Sequence, residues 1–258
     1  MNVTIDGCSI YWKVSGAGDE VALILQGWGT SCALYDSIAA MLGETHRVVQ
    51  LDLPGFGASD EPSEPWDADR YACFLDAFAE ELGIEHCVLL AHSFGGRVAL
   101  KLISNDASRL VVDRLVLIDS AGIVRQRTPE EERRIKLFKM LRRITEIPLI
   151  AASFPDLIQA WREKQGSEDY RNSSDLMKRT MVMSISEDLT PLMPQVGCPT
   201  LLVWGADDDA TPLSDADRMK VLIPDARLVV IEGAGHFPFL DQPLGFWDAL
   251  GPVVGEEA

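Results

Sequence analysis

The sequence predicts an α/β protein in which a doubly wound, mostly parallel β-sheet carries an inserted helical cap. Two observations predict the sheet. Short apolar runs alternate with helical patterns along most of the chain, and several runs are apolar almost throughout, which is typical of parallel strands covered on both faces. A third observation predicts the cap, since a long central segment contains helix signals and no convincing strand.

The strand and helix signals follow one another at regular intervals. Seven runs predict strands, in chain order SIYWKV, VALILQ, HRVVQLD, CVLLAH, RLVLIDS, TLLVWG and RLVVIEG. The main helical patterns lie at about Ser31–Leu42, Ala68–Leu82, Phe94–Ser104, Ser214–Leu222 and Pro243–Leu250.

The central segment predicts a division of the chain into a core, residues 1–121 and 193–258, and a cap, residues 122–192. Within the cap, Thr128 as N-cap, Pro129 at the first helical position and Glu131 form a capping box. A stripe of apolar residues at helical spacing follows, namely Leu137, Phe138, Leu141 and Ile144. The segment is either a lid or a helical elaboration that stabilises the sheet edge. We favour the lid, because the insertion follows a strand whose carboxyl end should face a site.

Composition and charge limit the class of protein. The 258 residues, 47% of them hydrophobic, can bury one substantial core. The longest apolar runs have the length of strands and are far shorter than a membrane span. A formal net charge of −17 opposes binding to nucleic acid or to an anionic membrane. These features predict a soluble, acidic protein without either partner.

The cysteines and the amino terminus predict a cytoplasmic protein. Five scattered cysteines, odd in number and without a CxxC pair, favour reduced thiols over a disulfide framework or a zinc site. The stretch MNVTIDGCSIYWKVSG lacks the charged-then-apolar layout of a signal peptide. The oligomeric state does not follow from the sequence.

The stretch LLAHSFGGRVAL places Ser93 between a predicted strand and a predicted helix. A nucleophilic serine needs such a sharp turn, so that its hydroxyl protrudes, and it needs small residues two positions before and after it. Ala91 and Gly95 occupy those positions. The alternative is that Ser93 is only the N-cap of the following helix.

A serine nucleophile needs a base, and the chain contains four histidines. His46 and His86 lie at strand starts, and His92 is expected to point away from the reactive side of Ser93. His236 follows the last strand in the glycine-bracketed loop EGAGHFPFLDQP, which can hold an imidazole over the sheet edge. The stretch LLVWGADDDATP ends the preceding strand in a carboxylate cluster that can supply an orienting partner.

The stretch LILQGWGTS follows an early strand, and its glycines allow a sharp turn that leaves a backbone amide free. Paired with the amide of Phe94, it would form an oxyanion hole. The alternative is an ordinary glycine turn.

Five stretches in order, QGWG, DLPGFGASD, AHSFGG, WGADDDATP and GAGHFPFLDQP, resemble the motifs of α/β-hydrolase-fold serine hydrolases. The resemblance covers nearly the whole chain. It implies Ser93 as nucleophile, Asp208 as triad acid, His236 as base, and the amides of Trp28 and Phe94 as the oxyanion hole. It implies no metal and no organic cofactor.

The activity implied by the resemblance is hydrolysis, through an acyl-enzyme, of an ester, thioester or C–C acyl bond in a small, largely apolar molecule. The serine argues against the haloalkane dehalogenases and epoxide hydrolases, which resemble this layout with aspartate at the elbow. Gln26 replaces the histidine that usually begins the glycine loop.

Two alternatives stay open. Arg97 follows the elbow as in the menaquinone-pathway lyase that eliminates pyruvate, although an arginine paired with a neighbouring acid is the interpretation we favour. The chain could also be a hydrolase-like ligand sensor without catalytic function.

Overall fold

The computed structural model describes residues 1–124, 133 and 173–251. They contain one eight-stranded sheet with the order β1-β2-β4-β3-β5-β6-β7-β8, in which β1 and β2 pair antiparallel, as do β2 and β4, and the other strands are parallel. The strands are β1 Asn2–Ile5, β2 Cys8–Ser15, β3 Val21–Leu25, β4 Arg47–Leu51, β5 His86–His92, β6 Val111–Ile118, β7 Thr200–Gly205 and β8 Ala226–Ile231. The doubly wound, mostly parallel sheet is confirmed.

Seven α-helices, numbered over the described residues alone, accompany the sheet. They are α1 Asp36–Leu42, α2 Ala68–Glu81, α3 Phe94–Ile103, α4 Asp175–Ile185, α5 Leu213–Leu222, α6 Pro238–Asp241 and α7 Pro243–Leu250. Within the described part of the chain, no helix combines the length and apolar character needed to cross a bilayer.

The sheet is covered on both faces because its central strands are apolar on both sides. Every residue of β3 is buried, and successive side chains alternate between two cores. Leu23 belongs to the core that includes buried residues of α2 and α3, whereas Ile24 belongs to the core that includes those of α1 and α7. This alternation is the physical basis of the doubly wound architecture.

Three elements differ from the sequence prediction. The first predicted helix begins as a 3-10 turn, Cys32–Tyr35, before α1. Strand β1 was not predicted, although it joins β2 through Asp6 and Gly7, whose φ angles of 51° and 81° suit a tight hairpin turn with an Asp-Gly pair. Helix α6 was missed because four residues are too few for a periodic pattern.

Most of the predicted cap, including the capping box at Thr128, lies outside the described residues. Its described end contains α4, where the Ser174 hydroxyl caps the helix by accepting a hydrogen bond from the Met177 amide at 3.1 Å. Thr180 and Ser184, both on α4, bond the backbone amide and carbonyl of Trp66, each at 3.2 Å. This end of the predicted cap is therefore packed firmly against the sheet-bearing core.

Candidate active site

The predicted site residues follow the carboxyl ends of neighbouring parallel strands. Ser93 follows β5, Asp208 follows β7, His236 follows β8 and Trp28 follows β3. Carboxyl ends of parallel strands meet at one edge of a sheet, which is where ligands bind in open α/β folds. The topology therefore gathers residues that are up to 208 positions apart, from Trp28 to His236.

Ser93 occupies a strained turn between β5 and α3, with φ 50° and ψ −111°. A positive φ is rare outside glycine and asparagine, and such strain persists only when the surroundings fix the backbone. The Ser93 amide donates to the Ile118 carbonyl at 3.0 Å, and the Ser93 carbonyl accepts from the amides of Gly96 and Ala121, each at 3.0 Å. Ser93 occupies the N-cap position of α3, but its side chain makes no capping hydrogen bond, so capping does not account for the hydroxyl.

The two glycines after the elbow are required by close packing. A Cβ on Gly95 would lie 2.9 Å from the backbone oxygens of Leu25 and Gln26. A Cβ on Gly96 would overlap the Ser120 hydroxyl. Helix α3 can start this close to the sheet only because neither residue has a side chain.

His236 bridges the other two predicted side chains. Its Nε2 lies 2.9 Å from Ser93 Oγ, and its Nδ1 lies 2.8 Å from Asp208 Oδ2. Because a carboxylate faces Nδ1, that nitrogen carries the ring proton, and Nε2 accepts the serine hydroxyl hydrogen. Nε2 is therefore placed to take the proton from Ser93 Oγ.

Asp208 is fully buried at its side chain and receives several hydrogen bonds. Its Oδ1 accepts from the amides of Ala210 at 2.7 Å and Thr211 at 3.1 Å, and its Oδ2 lies 2.6 Å from the Thr211 hydroxyl. Burial alone would raise the pKa of Asp208, but the hydrogen bonds from His236 and Thr211 outweigh it and hold the pKa well below its usual value. Asp207 and Asp209 are exposed, so only Asp208 of the carboxylate cluster reaches the imidazole.

Both ring nitrogens of His92 are hydrogen-bonded to groups other than Ser93, a structural role that the sequence analysis missed. It is buried, and its Nε2 donates to the His236 carbonyl at 2.7 Å. Its Nδ1 accepts from the Tyr35 hydroxyl at 2.9 Å, and that hydroxyl accepts from the Gly27 amide at 2.8 Å. Burial lowers the pKa of His92 to about 3, so the ring is neutral. The chain of bonds ties the loop of Gly27 to the loop of His236.

The glycine loop after β3 is held by Gln26, the residue that departs from the family pattern. Its Nε2 donates to the Thr30 carbonyl, and its Oε1 accepts from the Leu53 amide at 3.1 Å. The Trp28 ring packs edge-on against Phe94, with 5.1 Å between ring centroids. Among the hydrogen bonds of the described residues, neither the Trp28 nor the Phe94 amide has an acceptor, so both remain available to a ligand oxygen.

Arg97 is buried and serves the packing of α4. Its Nε donates to the Ser184 carbonyl at 2.7 Å, and its Nη2 donates to the Glu187 carbonyl. Burial lowers the pKa of Arg97, and the nearby charges of Glu187 and Asp188 oppose that shift. The guanidinium thus binds the carboxyl end of α4, where a cation is favoured by the helix dipole.

A second carboxyl group, Asp119, adjoins the site and was not singled out from the sequence. It follows β6, and one side-chain ligand atom each of Asp119, Asp208 and His236 lie within 4.8 Å of one another. Such a set has the donor types of a cation site, but His236 Nδ1 and Asp208 Oδ2 are hydrogen-bonded to each other. The arrangement fits a hydrogen-bonded cluster better than a metal centre.

The sheet order, the strained serine turn and the loops at the strand ends together define an α/β-hydrolase fold. Residues 22–249 match the sequence model of the alpha/beta hydrolase family. The chain belongs to this family and is an α/β-fold hydrolase, which confirms the class implied by the sequence resemblance.

Individual relatives and solved structures agree with this class. The pimeloyl-[acyl-carrier protein] methyl ester esterase of Nitrosomonas europaea is 28% identical, over 94% of this chain and 99% of that protein. An esterase from Exiguobacterium antarcticum superposes with a TM-score of 0.70 at 25% identity, over 97% of each chain. The enol-lactonase from Burkholderia xenovorans LB400 has a TM-score of 0.76 at 18% identity, over 99% of this chain and 100% of that one, and shows the shared fold.

Proposed function

We propose that the protein is a serine esterase in which Ser93, His236 and Asp208 act as a catalytic triad. The observation that carries the proposal is the unbroken hydrogen-bonded chain from Ser93 Oγ through His236 to Asp208, with links of 2.9 Å and 2.8 Å. A nucleophile bonded to a base, which is bonded in turn to an orienting carboxylate, is the arrangement that activates a hydroxyl.

In the proposed reaction, Ser93 Oγ attacks the carbonyl carbon while His236 Nε2 takes the hydroxyl proton. The electrons of the carbonyl π bond move to the oxygen, and the amides of Trp28 and Phe94 stabilise the resulting alkoxide. The tetrahedral intermediate collapses, the bond to the alcohol breaks, and His236 returns the proton to the leaving oxygen. Water, deprotonated by His236, then attacks the acyl-enzyme. The acyl bond to Ser93 Oγ breaks, His236 returns the proton to Oγ, and the carboxylic acid leaves. Asp208 stays ionised throughout and stabilises the imidazolium.

The proposed bond is a carboxylic ester in a small, largely apolar substrate. The named activities of the relative from Nitrosomonas europaea and of the Exiguobacterium enzyme support the ester bond. Rings near the elbow support an apolar acyl group, since Trp28 packs edge-on against Phe56 and Phe94 with centroid distances of 4.8 Å and 5.1 Å.

Residues 122–192 are proposed to cover this site as a lid. The described end of this segment supports the proposal, because hydrogen bonds to Trp66 and Arg97 fix α4 to the core. Arg97 gives the lyase alternative no support, since its Nε and Nη2 already donate to backbone carbonyls.

Labelling with a fluorophosphonate, followed by a panel of esters, thioesters and lactones, tests the proposal. We expect stoichiometric labelling at Ser93, none in the Ser93→Ala variant, and a pre-steady-state burst with short p-nitrophenyl esters. Ser108→Ala is the matched control, since Ser108 lies outside the site and bonds Asp76 instead. Ligand-driven stabilisation without turnover of any panel member would favour a sensor, and labelling that persists in Ser93→Ala would contradict the assignment.

A further inference from the structure

Asp119 is a buried carboxyl group that the proposed reaction does not use. It has no exposed surface, and it is one of only three non-glycine residues with positive φ among those described, with φ 40°. Its Oδ1 accepts from the Gly205 amide at 2.9 Å. Its Oδ2 is also buried, and no donor among the described residues is hydrogen-bonded to it.

An unpartnered oxygen in this position needs an explanation, because a buried carboxylate oxygen without a donor is costly. Asp208 lies beside it: one side-chain ligand atom each of Asp119, Asp208 and His236 lie within 4.8 Å of one another. Two carboxylates that share a site repel each other, and this repulsion favours a proton on one of them. A proton on Oδ2 of Asp119 would turn the unpartnered oxygen into a donor, and the Asp208 carboxylate of the same cluster is an acceptor.

The hydrogen bonds decide which of the two carboxyl groups keeps that proton. Asp208 accepts from His236, from two backbone amides and from the Thr211 hydroxyl. Asp119 accepts from the Gly205 amide alone among the described donors to its side chain. Donors stabilise the ionised form, so Asp208 is the anion and Asp119 is the acid.

We propose that Asp119 is a positioning residue that keeps its proton and donates it to the Asp208 carboxylate, so that two adjoining carboxyl groups carry one negative charge. The inference rests on the proposed function, because Asp208 has to be the group that orients His236. Asp119 would act through Asp208, by fixing the rotamer of its carboxylate, and would touch neither substrate nor Ser93.

The charges around Asp119 favour the same protonation state. Burial is the main reason that the pKa of Asp119 is raised to about 9, and the Gly205 hydrogen bond opposes it. Asp208, from the loop after β7, and Asp241, from α6, add negative charge that raises it further. His236, from the loop after β8, also faces the pair and bonds Asp208 through Nδ1 and Ser93 through Nε2.

The proposal predicts opposite results for the same substitution at the two carboxyl groups. Asp119→Asn keeps a donor toward Asp208 and an acceptor for Gly205, so we expect kcat within about threefold of the unmodified protein at pH 7. Asp119→Leu removes the donor, and we expect kcat to fall between about ten- and a hundredfold with KM little changed. Asp208→Asn should lose about 10⁴-fold.

A pH profile supplies a measurement that a purely structural role would not change. With one ester substrate, the unmodified protein should lose kcat as the pH rises through about 9, when Asp119 ionises, and Asp119→Asn should retain activity over that range. Superimposable profiles would overturn the proposal. So would a loss in Asp119→Asn as large as that in Asp208→Asn, since Asp119 would then be needed as an anion.

The outcomes separate this inference from the proposed function. If Ser93→Ala and Asp208→Asn are as active as the unmodified protein, the triad itself is wrong. If they are inactive and Asp119→Asn behaves like Asp208→Asn, only the role of Asp119 is wrong. Should Asp119→Leu fail to fold, the Asp119→Asn profile still decides the question, because that variant keeps the size and both hydrogen bonds.

Discussion

The backbone of Ser93 is held at φ 50°, a conformation that costs a non-glycine residue about 1–3 kcal/mol. Three hydrogen bonds to the Ser93 backbone hold that strain in place. The gain is a hydroxyl that projects from the turn toward His236 Nε2 at 2.9 Å. At the scale of single residues, the geometry of the site depends on polar contacts of this kind. They hold the hydrogen-bond partners of the His236 imidazole in place.

Substitution of the three neighbouring aspartates tests this dependence. Asp208→Asn should lower kcat by about 10⁴, because the amide no longer fixes the tautomer or stabilises the imidazolium. Asp207→Asn and Asp209→Asn, at exposed positions, should cost tenfold or less, about 1.4 kcal/mol in barrier height. Steady-state kinetics on folded variants checks the ranking. A larger loss of kcat at Asp207 or Asp209 would make that residue the triad acid. Small, equal losses at all three positions would mean that the acid lies elsewhere in the chain.

At the scale of elements, the site is an assembly of loops joined across the sheet edge. The Tyr35 hydroxyl, at the end of a 3-10 turn, accepts from the Gly27 amide and donates to His92, which holds the His236 carbonyl. The Asp207 amide donates to the Ala234 carbonyl at 2.9 Å and joins the last two loops. The relative placement of the loops that carry the proposed oxyanion amide of Trp28, the proposed acid Asp208 and the proposed base His236 therefore depends on bonds between elements.

Tyr35→Phe tests the first of these connections with one atom removed. It leaves a buried amide at Gly27 and the Nδ1 of His92 without their partner, so we expect the free energy of unfolding to fall by about 1–3 kcal/mol. We also expect a larger change in kcat than in KM, because the loop that carries Gly27 and Trp28 loses its hydrogen bond to Tyr35. Urea denaturation and steady-state kinetics measure the two effects.

The matched control is Tyr11→Phe, which removes a hydroxyl from a partly exposed ring on β2. It should change neither stability nor kcat by a measurable amount. Equal effects of the two substitutions would show that the Tyr35 hydroxyl has no special part in the site.

At the scale of the whole molecule, two buried groups give the folded state opposite responses to pH. His92, with its pKa lowered to about 3, stays neutral when folded, whereas an unfolded histidine gains a proton below about pH 6.5, so stability is lost as the pH falls through that range. Asp119, with its pKa raised to about 9, keeps its proton when folded, whereas an unfolded aspartate loses it above about pH 3.9. Stability is therefore lost as the pH rises toward 9.

Below about pH 6.5, His92 and Asp119 change the free energy of unfolding in opposite directions as the pH changes. Between pH 7 and 9, of these two groups only Asp119 still contributes to that change. In this window we expect the unmodified protein to lose free energy of unfolding relative to Asp119→Asn, by at most about 1.4 kcal/mol per pH unit. The difference should level off above pH 9. Urea denaturation at pH 7, 8, 9 and 10 measures it, and parallel curves for the two proteins would mean that Asp119 is ionised when folded.

Much of the molecule follows from local sequence patterns. Apolar runs of strand length and helical periodicity predicted the sheet, because side-chain spacing reports which faces are covered. The small residues around Ser93 predicted the elbow, since a tight turn excludes bulk at fixed positions. Strand β1 and helix α6, each of four residues, are too short for periodicity to detect.

Local motifs were enough to predict the fold class, the family and the candidates Ser93, Asp208 and His236, because these motifs are short and keep their spacing. Which polar groups are buried together became known only from the folded arrangement. Asp119 meets Asp208 because β6 and β7 pair in the sheet, and His92 meets Tyr35 across 57 residues of sequence. Contacts of this kind depend on strand order, which no local pattern encodes, and burial then sets their protonation, because desolvation acts only once the strands have come together.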